Sequence, residues 1–99
     1  MEKICIVAGD SGVYVGLVEG GCAALDADGL ITMSRSRHLR RYTVMGRSGD
    51  GSVFDLAARG LDPSSASITG VVDTPARVGG VRRVIEVAEG AAPSFGLSK

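Results

Sequence analysis

Apolar residues in this chain come in short runs, broken by glycine, aspartate and serine. Lys3 to Ala8 is rich in β-branched residues and stops at Gly9-Asp10-Ser11-Gly12, which predicts a strand ending in a hairpin turn or a bulge. Gly12 to Glu19 predicts a second strand, with Val13, Val15 and Leu17 on one face and Tyr14, Gly16 and Val18 on the other. Glu19-Gly20-Gly21 reads as a turn, Cys22 to Asp26 as a short strand, Ala27-Asp28-Gly29 as a tight turn and Leu30 to Ser34 as a further strand. Arg35 to Tyr42 carries no clear period, and Tyr42 to Met45 reads as strand.

One helix is announced. Ser52-Val53-Phe54-Asp55 fits a capping box, Val53, Leu56 and Ala57 form an i, i+3, i+4 stripe, Arg59 suits the C-terminal end and Gly60 the C′ position. Two turns do not stand alone in water, so this helix must dock on a sheet. Strands are predicted over Ile68 to Val72 and Val81 to Val87, separated by a Pro/Gly-containing loop from Thr74 to Gly80. Residues 90–99 read as a flexible tail, small and polar apart from Phe95 and Leu97. The expectation is a single α+β domain over 1–99, dominated by β structure. It would be a small antiparallel sheet or partly open barrel of five to seven strands, with one short helix near 52–59.

With 99 residues the chain buries a modest fraction of its surface, and four aromatics give it few large anchors. That favours homo-oligomerisation, which would bury more. An apolar share of 44% against 22% charged places it away from disorder. The apolar stretch Ile4 to Ala8 is too short for a secretory signal, and no run approaches a membrane span, so a cytoplasmic protein without membrane contact is expected. Cys5 and Cys22 are the two cysteines; Cys5 reads as a buried thiol. There is no Cys-x-x-Cys and one histidine, so no metal or other cofactor is expected.

Charge is unevenly placed although its sum is zero. Ile4 to Ser34 holds no basic residue, whereas Arg35, Arg37, Arg40, Arg41 and Arg47 crowd one stretch together with His38 and no acid. In a strand Arg35, Arg37 and Leu39 would share a face, joined after a bend by Arg41. Arginine suits bidentate grip of phosphate or carboxylate. Gly46 to Ser52 adjoins this stretch as a glycine-rich loop running into a helix, a second anion-seeking feature, although Asp50 opposes it. The candidate ligand-binding residues are therefore Arg35, Arg37, His38, Arg40, Arg41, Tyr42, Arg47, Ser48 and Gly49. The alternative is a solvated hairpin whose arginines pair with the protein's own acids. No catalytic residue is expected: His38 lacks a visible nucleophile and orienting carboxylate, and Gly9-Asp10-Ser11-Gly12 is a turn.

The segments Ser11 to Val18, Arg40 to Gly46, Ser52 to Gly60 and Val84 to Val87 with Ala91 to Phe95, in this order, resemble a family of small uncharacterised bacteriophage and prophage proteins. Thr43 stands where that family tends to carry tryptophan, so an aromatic surface shared by the family would differ here. The resemblance implies a phage accessory gene and a β-rich fold and supplies no catalytic residues. By analogy, such a protein antagonises host defence by sequestering a nucleotide signal or covering an acidic host protein. The alternatives are a single-stranded nucleic-acid-binding module, disfavoured by zero net charge, and a virion structural or assembly protein.

Overall fold

The computed structural model describes residues 2–21, 29–42, 44, 53–62 and 67–97. Its strands are β1 (Glu2–Gly9), β2 (Gly12–Glu19), β3 (Ile31–Met33), β4 (Arg35–Arg41), β5 (Ser67–Ile68), β6 (Ala76–Val78) and β7 (Val81–Glu86), with the helix α1 (Val53–Arg59) between β4 and β5. A five-stranded antiparallel sheet runs in the order β5-β4-β2-β1-β7, and β3 pairs with β6 in a separate two-stranded sheet. The fold is thus α+β and β-dominated.

The unbroken apolar run in β1 has a simple cause. The central sheet is covered on both faces, so both sets of alternating side chains must be apolar. On one face Ile6, Val15 and Leu39 pack against Leu56 and Ala57 of α1 and against Val44, Leu61, Ala91, Phe95 and Leu97. On the other, Cys5, Val7 and Val18 pack against Ile31 and Met33 of β3 and Val78 of β6. The Gly9 to Gly12 segment is a two-residue hairpin turn, Asp10-Ser11, with Gly9 opposite Gly12.

Helix α1 follows its sequence closely: Leu56 and Ala57 are buried, Asp55 lies in the first turn and Arg59 in the last. Gly60 takes φ +96° and its N–H donates to the Leu56 carbonyl at 2.9 Å, closing the helix. Ser52, the expected cap, lies outside the described residues, as do Cys22 to Asp28, Thr43, Met45 and the loop from Gly46 to Gly51.

Three expectations need correction. The loop predicted over Thr74 to Gly80 contains β6, whose three residues pair with Ile31, Thr32 and Met33. So short a strand, between Pro75 and Gly79, carries no period of its own. The strand predicted over Ile68 to Val72 is a broken edge: β5 ends at Ile68, and Val72 meets Ser36 in an isolated bridge. The expected tail is part of the core. A 3₁₀ turn at Ala92–Phe95 buries Phe95 completely, and Ala91 and Leu97 are buried with it.

Candidate functional site

β4 carries most of the arginine-rich stretch and lies between β2 and the short edge strand β5. Its register against β2 sets Arg35 opposite Leu17, Arg37 opposite Val15 and Leu39 opposite Val13. Residues directly opposed in an antiparallel pair share a face, so Arg35 and Arg37 stand on the α1 side, at the rim of the apolar layer. Both are used internally. Arg37 donates from Nε to the Thr69 carbonyl at 2.8 Å and from Nη1 to the Phe95 carbonyl at 2.9 Å. Arg35 brings Nε to 2.6 Å from the Asp73 carboxylate, although that N–H is not aligned to donate to it. Asp73 is 74% exposed, so water screens this pair. Arg37 holds Thr69 and the 3₁₀ turn against β4, and Arg35 faces a carboxylate of the protein's own, so neither guanidinium is left uncompensated.

The other end of β4 differs. Arg40 and Arg41 are exposed and make no ion pair among the described residues. They lie where the pairing with β5 shifts register, between Leu39 opposite Ile68 and Arg41 opposite Ser67. An irregularity of this kind re-aims side chains at a sheet edge. Tyr42 is half-buried against the α1-side core, and burial raises its phenol above the ordinary value of 10.0. Arg47, Ser48 and Gly49 lie outside the described residues.

His38 points to the opposite face from Arg37, and the β2 register sets it against Tyr14. The two rings are stacked, 4.6 Å between centroids and 21° between planes. Tyr14 is the residue that reading along the chain misses. Tyr14 and His38 lie 24 positions apart, and only the pairing of β2 with β4 joins them. The available signal was the placing of Tyr14 on the face of β2 opposite Val13 and Val15. Two further arginines are engaged: Arg82 meets Asp10 at 2.8 Å, and the Arg83 guanidinium lies 5.0 Å from the centroid of the exposed Phe54 ring.

A hollow of about 420 Å³ lies at the other edge of the sheet, lined by Glu2, Glu86, Glu89, Lys3, Ile4 and Val87 among others. Lys3 bridges to Glu86 at 3.3 Å, and Ser34 donates its hydroxyl to Glu2. Three carboxylates against one ammonium make it unsuited to an anion. Among the described residues no cluster of three His, Cys, Asp or Glu side chains is placed to hold a metal ion, and no helix is long and apolar enough to cross a membrane. Comparisons with protein-family models, curated proteins and solved structures find no match.

Proposed function

We propose that this chain is a non-catalytic binding protein that captures a small anion at the Arg40–Arg41 end of β4. In this reading it is an accessory protein of the phage kind that sequesters a negatively charged signal. The observation that carries the reading is a contrast along one strand. Arg35 and Arg37 are tied to the molecule's own oxygens, whereas Arg40 and Arg41 are held out to solvent without a carboxylate among the described residues. Two adjacent uncompensated guanidinium groups attract phosphate and suit its geometry. The stacking of the His38 ring on Tyr14 supports a binding role for this end of the strand.

Isothermal calorimetry with a panel of cyclic nucleotides and inorganic pyrophosphate tests this. Heat is expected with the native chain, weaker at raised salt, and lost in Arg40→Glu/Arg41→Glu. Silence from every phosphate compound sinks the reading. The stacked Tyr14–His38 pair favours one second reading, a single-strand nucleic-acid module, because such modules pair basic strands with aromatic platforms. Zero net charge ranks it lower. Oligonucleotide affinity that drops steeply with salt would put it first.

A further inference from the structure

We infer that the anion site extends along the hairpin end of the central sheet, from Arg40 and Arg41 on β4 to Arg82 and Arg83 on β7, and that its ligand is a linear chain of phosphates long enough to reach both arginine pairs. This rests on the anion-binding reading above and adds to it the length of the ligand and a second pair of contacts on the opposite edge strand.

Strand pairing puts both arginine pairs at one level. Leu39 is opposite Val13, Val13 opposite Ala8, and Ala8 opposite Arg83, so a single row crosses β4, β2, β1 and β7. Arg40 and Arg41 follow Leu39, and Arg82 precedes Arg83, each leading from that row towards the Asp10-Ser11 turn. The pairs also share a local device. Each lies at a break in register, one between Leu39 opposite Ile68 and Arg41 opposite Ser67, the other between Arg83 opposite Ala8 and Val81 opposite Gly9. Arg40 and Arg82 are the residues these pairings skip, one on each side of the hairpin. Irregularities of this kind concentrate at sheet edges and next to functional sites.

All four arginines are exposed. Arg82 meets Asp10 between two exposed side chains, a pairing that water screens and a phosphate can displace. Arg83 lies over the Phe54 ring, which holds the guanidinium in place and leaves its charge intact. On the central sheet and its hairpin, Asp10 is the one described acid at this end, whereas Glu2 and Glu19 stand opposite each other at the far end, roughly 20 Å away along β1. Counting Asp55, which follows Phe54 on α1, two carboxylates face four guanidinium groups here. A net charge of zero therefore conceals a basic end, and an anion is drawn to it. Three strand spacings separate β4 from β7, roughly 14–15 Å. Pyrophosphate reaches one arginine pair. A longer phosphate chain reaches both, and its second contact forms within a complex already made. Tyr42 is half-buried and the Phe54 ring carries Arg83, so this end offers charge in place of ring faces for the bases of a nucleic-acid strand.

The test compares pyrophosphate with a linear polyphosphate long enough to span both pairs, by calorimetry at several salt concentrations. The polyphosphate is expected to bind about tenfold or more tighter, because its second contact is intramolecular. Its affinity should also fall more steeply with salt, since more phosphates are neutralised. Arg82→Gln/Arg83→Gln should bring the polyphosphate close to the pyrophosphate level and leave pyrophosphate little changed, whereas Arg40→Gln/Arg41→Gln should weaken both ligands. If Arg82→Gln/Arg83→Gln does not fold, the two salt slopes on the native chain decide, and equal slopes overturn the bridged site. Polyphosphate affinity that is indifferent to Arg82→Gln/Arg83→Gln also overturns it and leaves the Arg40–Arg41 reading standing. No binding of either ligand overturns both. An octathymidylate that binds tighter than the polyphosphate assigns the phosphates to a nucleic-acid backbone and overturns the free chain.

Discussion

Arg37 and Arg40 are the same residue type on the same strand, and their surroundings give them different work. Arg37 clamps the carbonyls of Thr69 and Phe95, so Arg37→Ala should cost about 2 kcal/mol in urea unfolding, the scale of charged hydrogen bonds left unmade. Arg40→Ala, at an exposed position, should stay within about 0.5 kcal/mol. The reverse ranking would mean the two arginines have been assigned the wrong way round. Tyr42 gives a pH test. Its folded pKa is raised above the value of 10.0 by burial, so above that pH the unfolded chain loses the phenolic proton first. Stability should therefore fall as pH rises beyond 10.0, and Tyr42→Phe should flatten that part of the pH–stability curve. Little of this could be read from the sequence, where five arginines in one stretch look alike. What separates Arg37 from its neighbours is a pair of carbonyls 32 and 58 positions away.

Among the elements, those with strong local chemistry were legible and those made by distant pairing were not. The β1–β2 hairpin announces itself through two β-rich runs around a turn, and α1 through its stripe and its closing glycine. β6 has no such signature: its three residues become a strand because Ile31 to Met33 lie alongside. β4 was equally obscure, since Arg, Ser and His do not alternate by polarity. Leu39 within it is buried by α1 and by the segment around Phe95, both far along the chain. Gly60 offers a test at this scale. Its φ of +96° and the 2.7 Å separation between a built Cβ and the Ser94 hydroxyl make alanine strained there. Gly60→Ala should destabilise by about 1–3 kcal/mol in thermal or urea melts. A neutral outcome would show that the turn after α1 relaxes freely.

For the whole molecule, the residues that close the α1-side core are the last described in chain order. Phe95 is completely buried among Ile6, Leu56 and Leu97. Phe95→Ala should cost about 3–5 kcal/mol, a large part of the roughly 5–15 kcal/mol that holds a small domain together. Truncation after Gly90 should leave no cooperative melt by circular dichroism, and a normal transition would show that the core closes without this segment. Composition hid this role: residues 90–99 are small and polar overall, and two apolar side chains among glycine, alanine and serine look like a tail until they are seen filling the space beside α1.

The strand order has a consequence for biosynthesis. β1 and β2 precede every other described element and lie inside the sheet, whereas Phe95 and Leu97, which help cover one of their faces, come after every strand in chain order. The nascent hairpin must therefore wait with greasy surface open to water until those later residues have been added, and chaperone dependence during synthesis should last until then.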